Sequence, residues 1–474
     1  MSLLKKLSPK SIIHFSGIGG IGMSGIAEIL HNLGYTVQGS DLSSNGNTER
    51  LAGLGIKVFQ GHLPENVKNI SLLITSSAIT KNNPEVMHCI EHGIQTVSRT
   101  AMLAELMSTK TSIAISGTHG KTTTTSLIAA VFEKAKLSPT VINGGIINNK
   151  GTNAYLGDGD YLIAEADESD ATFIKIPSTI AVITNIDPEH LDFYGSYENL
   201  KKAFETFIQD LPFYGFGVLC IDNPEVKKIA NKITDRKIIT YSLHSKEADI
   251  YTDNIEQTDT GHKFDIHISS KLNTKHKTIQ NINLHIPGIH NVQNSLAALA
   301  IAIELGFSKK VISDAFSDFE GVKRRFTKVA TYKGVSIIDD YAHHPTEVMA
   351  TLATATQVAK RNKGRIITIF QPHRYSRLKT LMTEFSTSFE GSNFLYIADV
   401  YGSSEEPILG VNKEALISII KKNQPNTKVE PLTSRDQIPE IIENVCKEND
   451  LLLFLGAGDI SKWANELPQK LKHK

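Results

Sequence analysis

The stretch ISGTHGKTTTT, residues 115–125, carries the residues best suited to chemistry. Gly117, Thr118, His119 and Gly120 form a short loop between an apolar run and a segment of helical period, and Lys121, Thr122 and Thr123 follow. Backbone N–H groups at a helix start cradle phosphate oxygens. A lysine there can bridge the β- and γ-phosphates of a nucleoside triphosphate, and a hydroxyl beside it can hold Mg²⁺. The loop departs from the GxxxxGK[ST] pattern, since Ile115 stands where the first glycine would be. A plain glycine turn capping a helix is the other reading; the order strand, loop, Lys-Thr, helix favours the triphosphate.

Two acidic clusters downstream supply what such a loop lacks. YLIAEADESD puts Glu165 at the end of an apolar run, followed by Asp167, Glu168 and Asp170. AVITNIDPEHLDFYG likewise ends in Asn185, Asp187, Glu189, His190 and Asp192. Carboxylates at strand ends can bind Mg²⁺ beside a triphosphate, and ligands gather at the carboxyl ends of parallel strands. That placement favours Glu165 and His190 as metal ligands; solvated loops or helix caps are the alternative. Far upstream, Gly17-Ile-Gly19-Gly20-Ile21-Gly22 follows SIIHFS and opens MSGIAEILHNLG, with Asp41 ending YTVQGSD. Alone, this is a dinucleotide fingerprint and leaves a nicotinamide-dependent dehydrogenase open.

Apolar runs alternating with helical segments point to parallel sheets covered by helices, an α/β protein. SIIHFS and SLLITSS are strands of a first unit ending near residue 107; TSIAIS, YLIAEA, TIAVITN, FGVLCID and KIITYS belong to a second. The polar stretch 245–283 predicts β-hairpins, and HNVQNSLAALAIAIELG a helix stopped by Gly306. GVKRRFTKVA is basic and core-poor, a linker. A third region has strands VSIIDDY, RIITIFQ, NFLYIAD and DLLLFLGAG.

At 474 residues the chain exceeds one core, and about 150 residues per domain suggests roughly three. Fifty basic and 50 acidic residues cancel, which argues against general affinity for nucleic acid or an anionic membrane. Cys89, Cys220 and Cys446 lie far apart and form no CxxC pair, as in a reducing compartment. With no secretory signal core and no run of roughly 18 apolar residues, a cytoplasmic protein without membrane insertion is expected.

GTHGKTTTT, EADESD, TNIDPEHLD, GIHNVQNSLAA, GVKRRF, DDYAHHPTE and FQPHRYSR occur in the order and spacing of the Mur ligases, which the chain resembles from about residue 12 to 460. The resemblance implies three α/β domains: a Rossmann-like UDP-sugar domain at 1–107, a central P-loop ATPase-type domain at 108–320, and a Rossmann-like C-terminal domain at 321–474 that receives the amino acid and closes on the nucleotide. It implies an ATP-dependent amide ligase of peptidoglycan synthesis. GIGGIGMSGIAEIL with GSD is similar to the members that join L-alanine to UDP-N-acetylmuramate through an acyl phosphate. Such a reaction brings two anions together, so a pocket rich in cations suits it.

By resemblance, 117–123 bind the ATP phosphates, Lys121 stabilises the transferring group, Thr122 and Glu165 bind one Mg²⁺, and His190 a second. His290, Asn291 and Asn294 match the adenine-side motif, and Arg325 and Asp340 the residues reaching the nucleotide from the third domain. His343, Arg374 and Arg377 match positions proposed to hold the incoming amino acid; His344 could serve only in packing. Gly19, Gly20, Ile21, Gly22, Asp41, Ser76, Ser77, Thr184 and Asn185 match the UDP-sugar side. Many relatives carry a carbamoylated lysine about fifteen residues after the strand-end histidine; Lys201 and Lys202 lie nearer and Glu205 stands at that distance, so carbamoylation is not expected. The remaining readings are a related ligase adding a peptide or another amino acid, the dehydrogenase, and a nucleotide-binding switch. The dehydrogenase leaves Lys121, Thr122 and Glu165 without work, and the switch has no need of the third-domain His and Arg cluster. A monomer or homodimer is expected.

Overall fold

The computed structural model describes residues 7, 11–76, 78–169, 171–272, 274, 276–403 and 405–472. Ser77 and Asp170 lie outside them. The chain divides into two compact units, one of residues 1–286 and 291–320, the other of 287–290 and 321–474. No helix among the described residues is long and apolar enough to cross a membrane.

The first unit holds two sheets. Five parallel strands run in the order Lys57–Gln60, Thr36–Asp41, Ile12–Ser16, Leu72–Thr75, Gln95–Ser98. In register, Ser16 lies beside Ser40 and Thr75, and Thr75 beside Ser98. The first glycines, Asp41, Ser76 and Arg99 therefore lie together at one end of the sheet. In the second sheet Thr111–Ser116 sits between Tyr161–Glu165 and Ile180–Ile183, all parallel, so the loops after Ser116, Glu165 and Ile183 emerge side by side. Its edge is the antiparallel set Ile250–Gln257, His262–Ile268 and Thr278–Leu284, the hairpins expected of the polar stretch. One apolar cluster runs from Ile13 and Phe15 of the first sheet and Ile26 of the helix Ile21–Asn32 to Ala114, Leu162 and Phe204 around the second. The boundary expected near residue 107 thus falls between two sheets that share a core.

The second unit is a six-stranded sheet in the order Thr327–Tyr332, Val335–Asp340, Leu451–Leu455, Ile366–Phe370, Phe394–Ile397, Lys428–Pro431. Its first strand pairs antiparallel, the rest parallel. Thr327–Ala330, read from sequence as the end of a linker, belongs to that first strand. An edge strand with little buried surface leaves a weak apolar pattern, which is why it passed as linker. The C-terminal ends of Val335–Asp340, Leu451–Leu455 and Ile366–Phe370 are in register at Asp340, Leu455 and Phe370. The loop bearing His343 and the one bearing Arg374 follow the first and last of these.

Candidate active site

The loop after Thr111–Ser116 has a shape that side chains would disturb. Gly117 has φ +131°, and a β-carbon there would lie 2.1 Å from Thr184 Oγ1. Gly120, φ +84°, is the N-cap of the helix Lys121–Lys134 and gives it no side-chain cap. The helix Ile21–Asn32 after the first glycine loop also lacks a side-chain cap, whereas Ser98, Asn83, Ser196 and Asn223 cap theirs. Uncapped N–H groups at two glycine-led helix starts are two places for anions.

Lys121 Nζ donates to Gly117 O at 2.6 Å and to Glu168 Oε1 at 3.0 Å. Burial alone would lower its pKa, but Glu168, Glu165 and Asp167 outweigh that and hold it above the ordinary lysine value. Burial pushes Glu168, 2 % exposed, up to about 7 against the pull of Lys121. Asp167 is held below the ordinary carboxylate value despite burial, by Lys121 and Arg99. Thr122 Oγ1 donates to Glu165 Oε2 at 2.9 Å, and Gly144 N donates to the same oxygen at 2.9 Å. A β-carbon at Gly144 would meet that carboxylate at 2.4 Å. Glu168, Glu189 and His190 bring one ligand atom each within 4.8 Å of one another, with His190 Nε2 3.9 Å from Glu168 Oε1. His190 takes left-handed backbone, φ +56°. The structure thus joins Lys121, Thr122, Glu165 and His190, and adds Glu168, whose pairing with Lys121 the sequence reading did not single out. That pairing follows from the neighbouring strand ends, not from spacing along the chain.

Thr184 Oγ1 and Asn185 Nδ2 both donate to His119 O, at 2.6 and 3.0 Å, and Asn185 Oδ1 accepts from His119 N at 2.8 Å. The two residues matched to the UDP-sugar side therefore brace the loop before Lys121. His119 Nε2 is 3.2 Å from Asp187 Oδ2. Asn294 presses on the loop, with Oδ1 2.5 Å from where a Gly120 β-carbon would sit, and its amide donates to Asn291 Oδ1 at 3.4 Å. Thr123 is buried in the first helical turn. Lys201 pairs with Glu225 at 3.3 Å and Glu205 with Lys232 at 2.6 Å.

At the first glycine loop, Gly19 N donates to Asp41 Oδ2 at 2.9 Å, and Gly17 N and Ile18 N donate to Ser40 O at 2.8 and 3.0 Å. A β-carbon at Gly17, φ +82°, would meet Ser76 Oγ at 3.0 Å, and one at Gly22 would lie 2.5 Å from Arg99 Nη1. Gly20 caps the helix that Ile21 starts. Beneath the loop lies a buried polar network that the sequence reading missed. Glu85, fully buried, accepts from Ser16 Oγ, from Ser40 Oγ at 2.7 Å and from Asn66 Nδ2 at 2.8 Å. His14 Nε2 is 3.4 Å and His62 Nδ1 3.2 Å from the same carboxylate. Burial would raise Glu85, yet His14, Ser16 and Asn66 bring it down to about 2. Its members are up to 71 positions apart, from His14 to Glu85, with no local signal to join them.

In the second unit, Asp340 accepts from Phe326 N at 2.7 Å and Ala342 N at 2.8 Å, so it shapes the turn carrying Arg325. Burial pushes it up to about 6 against Arg325. Arg325 lies over the Tyr341 ring at 5.3 Å and 3.8 Å from Glu347. His343 Nδ1 is 2.9 Å from Tyr341 O and 3.2 Å from Glu347. Arg377 Nη1 donates to His373 O at 3.3 Å, and Arg374 has φ +69°. Burial above all, then His343, Arg377 and Arg374, pushes His373 down to about 3. His344 Nδ1 accepts from Thr346 N at 3.4 Å and caps the helix Pro345–Asn362, a packing role. His290 touches the β-carbon position of Gly288 at 2.5 Å.

The sequence matches the family description Mur ligase family, catalytic domain over residues 12–111, Mur ligase middle domain over 115–302, and Mur ligase, glutamate ligase domain over 324–458. A UDP-N-acetylmuramate–L-alanine ligase of Rickettsia bellii is 54% identical over 470 residues, covering 99% of this chain and 98% of that protein. The crystal structure of UDP-N-acetylmuramate–alanine ligase from Thermotoga maritima superposes with a TM-score of 0.82 at 27% identity, covering 97% and 99% of the two chains. A murein peptide ligase from Psychrobacter arcticus shares the fold, with a TM-score of 0.74 at 23% identity over 98% and 99%.

Proposed function

The chain belongs to the Mur ligase family, and we infer that it joins L-alanine to the carboxylate of UDP-N-acetylmuramate at the expense of ATP in peptidoglycan synthesis. The products are UDP-N-acetylmuramoyl-L-alanine, ADP and phosphate. The observation that carries the chemistry is the convergence of Lys121, Thr122 and Glu165 at a glycine loop opening a helix, at the ends of neighbouring parallel strands. Whole-length identity to L-alanine ligases favours alanine over a preformed peptide. A dehydrogenase has no use for this second loop.

Each step assigns work to particular residues. The loop 117–123 holds the triphosphate by its N–H groups, and Lys121 offsets charge on the γ-phosphoryl group as it passes to the muramoyl carboxylate oxygen. ADP leaves and an acyl phosphate remains. The amine of L-alanine attacks the acyl carbon, phosphate leaves with the former carboxylate oxygen, and the nitrogen loses a proton. Splitting the condensation this way replaces a poor electrophile with a good one.

The donor set fits Mg²⁺. Thr122 Oγ1 and Glu165 Oε2 are hard oxygens within 2.9 Å at a strand end, and Glu168, Glu189 and His190 form a second cluster beside them. Thr122 and Glu165 would hold one ion and His190 a second, and such ions would neutralise phosphate charge. His290, Asn291, Asn294, Arg325 and Asp340 are assigned to the nucleotide side. His343, Arg374 and Arg377 are assigned to the L-alanine carboxylate, for which guanidinium forks are suited. Domains at 1–107, 108–320 and 321–474 are part of the same reading.

The test is phosphate release with substrates omitted in turn. Release that needs both UDP-N-acetylmuramate and L-alanine is expected. ATP hydrolysis indifferent to both, or enzyme-dependent oxidation of NADH followed by its absorbance, would overturn the reading.

A further inference from the structure

The two anion loops of the first unit are connected by a line of charge. Arg99 begins the helix Arg99–Met107, next to the strand end Ser98. Its Nη1 fills the space beside Gly22, where a β-carbon would be 2.5 Å away, so the third glycine of the first loop makes room for a guanidinium. Its Nη2 is 3.2 Å from Asp167 Oδ2. Asp167 stands two residues after Glu165 and one before Glu168, which pairs with Lys121 at 2.9 Å. Arg99 therefore lies between the start of the UDP-sugar helix and the triphosphate loop.

The separation of these loops is fixed. Asn153 Nδ2 donates to Ile21 O at 2.7 Å, Thr152 Oγ1 to Glu28 Oε2 at 3.0 Å, and Arg50 Nη2 to Asn153 Oδ1 at 3.3 Å. A β-carbon at Gly25 would collide with Ala154 Cβ at 2.8 Å, so helix and strand touch there directly. A substrate whose pyrophosphate sits on the first loop must extend toward the second to present its acid. On the way that acid, an anion approaching a triphosphate, needs a cation that holds it without competing for the phosphates.

The geometry points to Arg99 as the residue that receives the lactyl carboxylate of the UDP-sugar, with Asp167 holding the guanidinium in place. This rests on the ligase reading above. A guanidinium offers five donors in a planar fork; the Asp167 contact engages Nη2 and leaves the Nη1 edge toward the first loop. Lysine cannot reproduce the fork. Arg99 thereby sets specificity: UDP-N-acetylglucosamine, the same nucleotide sugar without the lactyl acid, has nothing to give it.

Calorimetric titration of the full chain with UDP-N-acetylmuramate, UDP-N-acetylglucosamine and UDP separates the roles. The wild-type protein is expected to bind the first about ten- to hundredfold more tightly than the second, as for one charge-assisted pair. Arg99→Ala is expected to bring the two within about twofold while UDP affinity stays within about twofold. If that variant does not fold, Arg99→Lys decides it, with a preference reduced by at least about threefold and a raised KM for UDP-N-acetylmuramate at unchanged KM for ATP. Equal weakening of both sugars, or loss of UDP binding, would make Arg99 a structural link or a pyrophosphate contact and overturn the assignment. A wild-type protein that ligates alanine yet binds both sugars equally overturns it alone. One that binds neither overturns the ligase reading beneath it.

Discussion

Glu85→Gln tests whether one buried carboxylate holds up the first glycine loop. Glu85 is fully buried and gathers the hydroxyls of the strand-end residues Ser16 and Ser40, whose carbonyls receive Ser76 N and the loop N–H groups of Gly17 and Ile18. Its pKa falls from 4.5 to about 2 because His14, Ser16 and Asn66 favour the charged form more than burial disfavours it. A carboxyl depressed on folding stabilises above its unfolded pKa, and that stability is lost as pH falls toward the folded value. At about 1.4 kcal/mol per unit, the charge contributes about 3 kcal/mol at neutral pH, lost between pH 4.5 and about 2. Urea unfolding of both proteins at a series of pH values, followed by fluorescence and circular dichroism, reads this directly. The wild-type midpoint should drop steeply below pH 4.5, and Glu85→Gln should start lower at pH 7 and fall less. UDP affinity should weaken in the variant while ATP affinity stays, because only the first loop rests on Glu85. Parallel pH curves for the two proteins would refute the argument.

Two further changes test the second loop, and a third outside it serves as control. Lys121→Ala should lower phosphate release by about a hundredfold or more, as when a donor to a developing anion is removed, with UDP-sugar binding by calorimetry within about twofold of wild type. Equal loss of both would contradict the role assigned to Lys121. Gly117→Ala puts a β-carbon 2.1 Å from Thr184 Oγ1 at a φ of +131° and should lower the melting temperature and raise KM for ATP, whereas Gly46→Ala, with nothing within 4 Å, should leave both intact or add about 0.5 kcal/mol of stability. Melting curves and initial rates check both.

What the sequence made legible was local. The Lys121 loop, Glu165 and His190 stand at the ends of strands strong enough to be read from apolar runs, so their convergence follows from a parallel sheet. The pairing of Lys121 with Glu168 needs the actual heights of neighbouring strand ends, and Glu85 reaches Ser16, Ser40 and Asn66 from other elements. Neither leaves a periodic trace. Asp340 stands in a motif matched to nucleotide contact, while in the fold its two oxygens serve Phe326 N and Ala342 N, a turn that the order of residues does not reveal. Edge strands such as Thr327–Tyr332, Lys57–Gln60 and Gln95–Ser98 bury few residues and so show little pattern; pairing with a neighbour, not hydrophobicity, makes them strands.

The most direct test of the ligase reading is mass spectrometry of one reaction containing ATP, a mixture of amino acids, and UDP-N-acetylmuramate with heavy oxygen in its carboxylate. With both carboxylate oxygens heavy, the account predicts a single product that has gained one alanyl residue and kept one heavy oxygen, the other appearing in each phosphate released. Unlabelled phosphate, or a product carrying a different amino acid, would contradict it.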